Sequence, residues 1–174
     1  MTAIEIRAAA PGEVSLLAAL QAACYGNENA PSEASAGPEA AAATYVGEAW
    51  PARSWAEVLA MPGSFALIAA AGSEPVGFFL GQVVIDASEV LGLGVLPRHR
   101  RAGSGRLLLE AGIAAALDRG AGVIQLEVAE NNRGAWAFYE SFGFGLAGRR
   151  SGYYRVASGP AVDALILRKR IAAA

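Results

Sequence analysis

The sequence predicts a mixed α/β fold in which helices cover a mixed sheet. Apolar runs of residues that favour strands come in a block at 64–70, 75–85 and 88–95. A helical pattern follows at 105–120, and an alternating, strand-like pattern comes directly after it. Strands that come in blocks, with helices between them, are typical of a sheet covered by helices.

The first 60 residues contain one strand and two helices in this prediction. The alternating stretch TAIEIRAA predicts a strand at 2–9. Pro11 and Gly26 bound a predicted helix, because proline suits a first helical turn and glycine suits a helix end. A short helix is predicted at 51–61. Between the helices, residues 27–48 form an alanine-rich insert that we expect to be a mobile loop with a short helix.

The middle of the chain combines a hairpin with an amphipathic helix. The AGSE turn predicts that the runs at 64–70 and 75–85 pair as a hairpin. The helix at 105–120 ends at Gly120, a residue that suits a helix C-terminus. Four of its residues recur at helical spacing and are expected to face the core: Leu109, Ile113, Ala116 and Leu117.

The last third of the chain alternates strand, helix and strands. The strand at 123–129 places Ile124, Leu126 and Val128 on one face. Asn131 or Asn132 is predicted to cap the next helix, because a side-chain oxygen there accepts an N–H group of the first turn. Two strands, at 144–154 and 161–170, close the chain.

The composition limits the class of protein. The chain has 174 residues, of which 54% are hydrophobic and 17% charged, and this predicts a single domain over 1–174. Its formal net charge of −2 does not favour a direct nucleic-acid partner. One cysteine, Cys24, and one histidine, His99, disfavour a His/Cys metal site. With no signal-like segment and no apolar run of membrane length, we expect a cytoplasmic monomer or weak dimer that contacts no membrane.

The most informative stretch is VLPRHRRAGSGRLLLEAG at 95–112, where a predicted strand ends and a predicted helix begins. The first N–H groups of a helix have no acceptor within the helix and carry partial positive charge. Glycine lets the backbone approach an anion closely, and arginine adds charged donors. The stretch therefore predicts a phosphate site built from Arg98, Arg100, Arg101, Gly103, Gly105 and Arg106.

Two common phosphate loops do not fit this stretch. A nucleoside-triphosphate loop has lysine and then serine or threonine after its second glycine, whereas Arg106 and Leu107 follow Gly105. A dinucleotide fingerprint needs a third glycine where Leu108 stands. The remaining common ligand is the diphosphate of coenzyme A. The alternative is a turn that binds no phosphate, in which the glycines relieve backbone strain and the arginines are solvated.

Two segments resemble known acetyltransferases. RRAGSG matches the pattern Arg/Gln-x-x-Gly-x-Gly/Ala, which is the acyl-CoA loop of the GNAT family. The segment LEVAENNRGAWAFYESFGF at 126–144 resembles the bacterial ribosomal-protein-alanine N-acetyltransferases, the RimI-like group. The likeness extends over about 62–168. The residues in register are Leu126, Glu127, Val128, Asn132, Ala135, Tyr139, Gly143 and Phe144.

The resemblance implies a single-domain acyl-CoA N-acyltransferase fold, whose mostly antiparallel central sheet is splayed at the cofactor site and flanked by helices. It also implies acetyl-CoA as acyl donor, coenzyme A as product, no metal, and a protein N-terminus as acceptor, above all the N-terminal alanine of a ribosomal protein. The main chain of the strand at 88–95 would pair with the amide-bearing arm of the cofactor. The implied cofactor-binding residues are Leu93, Gly94, Val95, Arg100, Arg101, Ala102, Gly103, Ser104, Gly105, Arg106, Asn132 and Tyr139.

Glu127 is the candidate general base. The acceptor amine must be neutral to attack a thioester, and a carboxylate accepts its proton directly or through water. Glu127 lies on the polar side of the predicted strand, together with Gln125. The alternative is an ordinary outward-facing strand residue. The resemblance favours the catalytic interpretation, although Ala129 stands where the family usually has arginine.

Tyr139 is the candidate general acid. A phenol that donates a hydrogen bond or a proton to the departing thiolate favours its release. The alternative is packing, because Ala135, Phe138 and Phe142 form a stripe at helical spacing that Tyr139 would flank.

Three further residues are weaker candidates for the acceptor site. Glu89 occupies a position where the family has an acidic residue that would meet the acceptor ammonium, and Tyr153 and Tyr154 would line the acceptor groove. Each has a structural alternative, as a charge at a strand edge or as a strand aromatic. Other functions also stay open: a GNAT enzyme for a lysine or a small amine, or a catalytically silent acyl-CoA-binding module.

Overall fold

A computed structural model of the chain describes residues 3–25, 49–154 and 159–172. These residues form two compact units. The first contains 3–25, 49–124 and 170–172, and the second contains 125–154 and 159–169. The insert predicted at 27–48 lies outside the described residues.

Four antiparallel strands form the sheet of the first unit, in the order β1-β2-β3-β4. They confirm the predicted strands and the hairpin at the AGSE turn. Their bounds are β1 Ile4–Ala8, β2 Ser64–Ala71, β3 Glu74–Val84 and β4 Ala87–Val95.

Helices cover both faces of this four-stranded sheet. They are α1 Val14–Tyr25, α2 Ala52–Leu59 and α3 Ser104–Asp118. Successive strand residues point to opposite faces, so Phe78 and Phe79 of β3 pack against helices on opposite sides of the sheet. The Phe78 ring contacts Tyr25 of α1 and Trp55 of α2. The Phe79 ring lies against Gly112 of α3. This is the helix-covered sheet that the sequence predicts.

The buried face of α3 differs from the predicted stripe. Leu109 and Ala116 are buried as expected, but the side chain of Leu117 is 39% exposed, and Leu108 is buried in its place. Leu107, Leu108 and Leu109 are consecutive, so periodicity alone fits more than one face of the helix.

The second unit holds most of β5 Val123–Ala129, together with α4 Arg133–Ser141, β6 Gly145–Tyr154 and nearly all of β7 Val162–Arg170. β7 lies between β5 and β6 and pairs with β6 in antiparallel fashion. The predicted alternation in β5 is confirmed, because Ile124, Leu126 and Val128 are all buried. Asn132 caps α4, as predicted, and accepts the Ala135 N–H at 3.1 Å.

The described residues thus contain seven strands, mostly antiparallel, and four α-helices, which confirms the predicted mixed α/β fold. The predicted splay of the sheet and the single-domain organisation stay predictions. No helix in the described ranges has both the length and the apolar character that a membrane crossing needs.

An ion pair at the start of α1 makes the stability of the fold depend on pH. The Glu13 carboxylate accepts two hydrogen bonds from Arg7, at 2.6 and 2.7 Å, and one from the Ala10 N–H at 2.7 Å. The Arg7 hydrogen bonds, followed by that of Ala10, lower the pKa of Glu13 from 4.5 to about 2. The ionised form therefore stabilises the fold, and its contribution is lost as the pH falls from about 4.5 towards 2.

We expect Glu13→Gln to be less stable than the parent chain at pH 6, with a difference that shrinks below pH 4.5 and vanishes near the folded-state pKa of about 2. Urea unfolding across this range measures the difference. Glu5→Gln, on the exposed part of β1, is the control. A Glu13→Gln difference that is constant from pH 6 to pH 2 would contradict the assignment.

Candidate functional site

The turn between β4 and α3 has the backbone shape that the sequence predicts for an anion site. A short 3₁₀ turn at Pro97–His99 is followed by Gly103, the N-cap residue of α3, with φ +89°. The Leu107 N–H donates to the Gly103 carbonyl at 3.1 Å, which is the first α-helical hydrogen bond. The N–H groups of Ser104, Gly105 and Arg106 precede it and so have no acceptor within the helix.

The side chains around this turn differ in how they are exposed. Ala102 and Gly103 are exposed, and Gly105 is half-buried. Ser104 is buried, and among the described residues its Oγ has no hydrogen-bond partner. Ser104 therefore offers a ligand its N–H group rather than its hydroxyl.

Three of the four arginines in this stretch have partners within the protein. Arg98 pairs with Glu74, and Arg106 pairs with Glu110 at 2.9 Å one helical turn later. Arg100 donates from Nε to the Val95 carbonyl at 3.0 Å and from Nη2 to the Cys24 carbonyl at 2.7 Å. The Arg101 side chain is exposed, and its backbone has φ +61°, a strained conformation of the kind that clusters at functional sites.

These contacts give Arg100 and Arg101 different expected roles. Arg100 joins the end of α1 to the end of β4, so Arg100→Ala is expected to lower the free energy of unfolding by about 1–2 kcal/mol. Arg101→Ala is expected to change it by less than about 0.5 kcal/mol and to weaken acetyl-CoA binding in a salt-dependent way. Thermal unfolding and calorimetric titration measure the two effects. Equal stability losses in both variants would contradict the distinction.

The end of β4 carries the other predicted cofactor residues of the first unit. Leu93, Gly94 and Val95 pair with Phe79, Phe78 and Gly77 of β3. A Cβ at Gly94 would lie 2.6 Å from the Phe78 ring and 2.9 Å from the Cys24 Cβ, so glycine is required there by packing against α1.

The side chain of Cys24 is buried and packs against Gly94. Burial raises the pKa of its thiol to about 12, against the opposing effect of Arg100. A thiol with so high a pKa is a poor nucleophile at neutral pH.

Glu127 of β5 is the centre of a polar cluster in the second unit. Its side chain is 19% exposed, and its Oε1 forms an ion pair with Arg150 Nη1 of β6 at 3.0 Å. The Arg150 guanidinium also lies 5.4 Å from the centre of the Tyr153 ring. The Tyr153 and Tyr154 rings meet edge to face, with centroids 5.0 Å apart. Arg150 thus links the candidate base to Tyr153, and the Tyr154 ring lies next to that of Tyr153.

The third weak candidate belongs to the other unit. Glu89 is half-buried on β4, where it lies opposite Gln82 of β3. Its predicted contact with the acceptor stays a prediction.

A second group of charges lies beside this cluster. Arg149 pairs with Glu130 at 2.7 Å and with Asp163 at 3.1 Å. The Gly152 N–H donates to Asp163 at 2.8 Å, and this hydrogen bond, followed by that of Arg149, lowers the pKa of Asp163. Asp163 thereby fixes the β6 backbone directly before Tyr153.

Tyr139 is the buried residue of α4. It is 8% exposed, whereas Ala135, Phe138 and Phe142 of the expected stripe are only half-buried. Its ring packs against the rings of Phe138 at 5.2 Å and Phe144 at 5.5 Å. Tyr139, which flanks this stripe, is thus more buried than the three residues that form it. Packing on two sides fixes the direction of the Tyr139 ring.

Sequence reasoning does not identify Arg150, which pairs with Glu127, or Asp163, which pairs with Arg149 and accepts the Gly152 N–H. The visible signal was GRRSGYY, in which two arginines precede two tyrosines on a strand. Among the described residues, no group of three or more histidine, cysteine, aspartate or glutamate side chains could hold a metal ion.

Comparison with known proteins identifies the family. Residues 34–144, more than half of the chain, match the acetyltransferase (GNAT) family. The chain is 41% identical over 90 residues to the ribosomal protein bS18-alanine N-acetyltransferase of Salmonella typhimurium, and the match covers 52% of this chain and 60% of that protein. It is 36% identical over 136 residues to the N-alpha-acetyltransferase RimI of Mycobacterium tuberculosis, covering 75% of this chain and 82% of that protein.

Solved structures share the fold. The ribosomal-protein-S18-alanine N-acetyltransferase from Escherichia coli superposes with a TM-score of 0.79 at 24% identity, covering 99% of this chain and 96% of that one. The structure of yncA from Salmonella typhimurium, solved with its cofactor acetyl-CoA, has a TM-score of 0.71 at 17% identity, covering 98% and 95%. The fold, the family match and the relative from Mycobacterium tuberculosis together show that the chain belongs to the acetyltransferase (GNAT) family.

Proposed function

We propose that this protein is an acetyl-CoA-dependent N-acetyltransferase that acetylates the N-terminal α-amine of a protein, most simply the N-terminal alanine of a ribosomal protein in the cytoplasm. The observation that carries the proposal is the cluster in which the Glu127 carboxylate meets Arg150 beside two tyrosines. The names of the relatives from Salmonella typhimurium and Mycobacterium tuberculosis support the choice of acceptor.

The turn before α3 has the donors that a diphosphate needs. The donors are the N–H groups of Ser104, Gly105 and Arg106 in the first turn of α3 and the exposed guanidinium of Arg101. Among the residues that the structure describes, no atom beyond Gly103 and its chain neighbours lies within 4 Å of the position that a Cβ on Gly103 would take. These residues would hold the diphosphate of acetyl-CoA, which supplies the acetyl thioester when bound.

Glu127 supplies the base in this proposal. A protein α-amine has a pKa of about 7.7 and a lysine side chain one of about 10.4, so at pH 7 the neutral fraction of the α-amine is several hundred times larger. A carboxylate of ordinary basicity is therefore sufficient for an N-terminal acceptor. Arg150 forms an ion pair with the Glu127 carboxylate at 3.0 Å, which orients the base.

Tyr139 supplies the hydrogen-bond donor for the departing thiolate. Its buried ring is fixed by Phe138 and Phe144, so the direction of the hydroxyl is set before any ligand binds. A pre-positioned donor lowers the barrier more than one that must be ordered during the reaction.

A thiol-release assay tests the proposal. Acetyl-CoA would be offered with peptides that begin with alanine, serine or methionine, with an N-terminally blocked peptide containing lysine, and with polyamines. We expect release with the alanine peptide above all. Faster release with the lysine peptide or a polyamine would mean that the acceptor is a lysine side chain or a small amine and not a protein N-terminus. Acetyl-CoA binding without release with any amine would indicate a silent binding module.

A further inference from the structure

We propose that Arg150 is a positioning residue that neutralises Glu127 so that the acceptor amine is held uncharged at neutral pH. This inference rests on the proposed function and adds the chemical form in which the acceptor is bound. Its basis is one ion pair and its surroundings in the second unit.

The ion pair spans a strand. Arg150 lies on β6 and Glu127 on β5, and β7 lies between these two strands. Arg150 of β6 is paired with Ala164 of β7, so the side chains of Arg150 and Ala164 point to the same face of the sheet. Because Ala164 carries only a methyl group, the long arginine side chain passes over it and reaches the carboxylate at 3.0 Å.

The two arginines next to each other on β6 have separate partners. Arg149 pairs with Glu130 and Asp163. Arg150 pairs with Glu127 and lies over the Tyr153 ring. Successive strand residues face opposite sides, so Arg149 does not substitute for Arg150.

The other charges of this unit do not cancel the pair. From β7, Arg168 donates to Gln125 at 3.1 Å, two residues before Glu127 on β5. It adds positive charge to the side of the sheet that carries Glu127. On α4, Arg133 and Glu140 are both exposed and are screened by solvent.

The ion pair changes the protonation of a bound amine. A carboxylate alone attracts an ammonium group and raises its pKa, whereas a nearby guanidinium carries the same charge as the ammonium and lowers its pKa. An amine that hydrogen-bonds directly to Glu127 Oε1 comes within about 6 Å of Arg150, because a hydrogen bond spans about 3 Å and the Glu127 and Arg150 atoms are 3.0 Å apart. Arg150 therefore cancels the stabilisation that Glu127 would otherwise give to the charged acceptor.

The proton balance is simple. One N–H bond of the acceptor ammonium breaks, its electron pair stays on nitrogen, and the proton moves to a Glu127 oxygen and then to solvent water. When the nitrogen then bonds to the acyl carbon, the C–S bond breaks with its electron pair on sulfur, and the nitrogen loses one further proton to solvent water. No additional reactant is needed.

The test is the pH dependence of kcat and of KM for the alanine peptide in Arg150→Gln. The kcat profile reports ionisations in the bound complex. We expect its rising limb to move up by about one pH unit, which makes kcat about tenfold lower than that of the parent chain at pH 6 and equal to it at pH 9. KM for the peptide should fall, because the ammonium form now binds an unneutralised carboxylate. A purely structural role would raise KM and lower kcat at every pH.

Matched variants separate charge from shape. Arg150→Lys keeps the positive charge and is expected to retain the profile of the parent chain. Arg149→Gln removes the neighbouring charge on the same strand and is expected to leave the profile in place. If Arg150→Gln does not fold, Arg150→Met, which keeps an apolar stem over Tyr153, replaces it.

Calorimetry adds a readout that does not need turnover. Peptide is titrated into the protein in the presence of coenzyme A, in two buffers of different ionisation enthalpy. The parent chain is expected to release protons when the peptide binds at pH 7, and Arg150→Gln is expected to release fewer. Unchanged proton release together with an unchanged kcat profile would overturn the role of Arg150. A parent chain that acetylates no α-amine peptide would overturn the proposed function and this inference with it.

Discussion

Replacing Glu127 by glutamine is expected to lower kcat at pH 7 about 100-fold or more while leaving acetyl-CoA affinity nearly unchanged. General-base catalysis contributes about 10²–10⁴ in rate, and an amide cannot accept the acceptor's proton. The substitution keeps the shape of the side chain and leaves a neutral amide oxygen facing Arg150. Thiol release at saturating acetyl-CoA and alanine peptide measures kcat, and calorimetric titration measures the affinity for acetyl-CoA.

Glu130→Gln is the matched control for this prediction. Glu130 lies three residues further along the chain and forms an ion pair with Arg149 at 2.7 Å, much as Glu127 does with Arg150. We expect Glu130→Gln to keep kcat within about threefold of the parent chain, because a half-exposed ion pair contributes little. Equal kcat in Glu127→Gln and the parent chain would remove Glu127 from the mechanism.

The fold was largely predictable because hydrophobic periodicity is a local property. The alternation of Ile124, Leu126 and Val128 identifies both the strand β5 and its buried face. The prediction was wrong about α3, where Leu117 is exposed and Leu108 is buried, because a helix that is apolar on several sides does not reveal which side meets the sheet.

The sequence predicts which residues belong to the candidate site, but it does not predict which of them contact one another. The RRAGSG motif indicates the turn before α3, but it does not show that Arg100 points to the Cys24 carbonyl. The pairing of Glu127 with Arg150 depends on the position of β7 between β5 and β6. Strand order is a long-range property, and no local pattern contains it.

Gly94 illustrates how one residue type serves two purposes. In the sequence it fits a strand that approaches a cofactor with its backbone. In the structure it is required because Phe78 and Cys24 occupy the space of a side chain. Packing alone explains why residue 94 is a glycine, so a substitution there would not show whether acetyl-CoA binds. The predicted acetyl-CoA site has to be tested at another residue.

Gly103→Glu is that test, and it is expected to abolish acetyl-CoA binding at the turn before α3. With ligand at 100 times its Kd, the parent chain should gain about 2.7 kcal/mol in apparent stability, which is a rise in Tm of several degrees. Glutamate at Gly103 places a negative charge and a side chain where the diphosphate is expected. Differential scanning fluorimetry with and without acetyl-CoA measures the shift.

Gly120→Glu is the control, because this glycine differs from Gly103 mainly in its place on α3. Gly120 has φ +88° and Gly103 has φ +89°, and in the described part of the chain nothing lies within 4 Å of a Cβ at either position. Both substitutions therefore strain the backbone to a similar extent, at about 1 kcal/mol each. Only Gly103 lies at the helix N-terminus, where N–H groups attract an anion. Loss of the acetyl-CoA shift in Gly103→Glu but not in Gly120→Glu would therefore be an effect of the site and not of strain. A shift that persists in Gly103→Glu would mean that acetyl-CoA binds elsewhere on the protein.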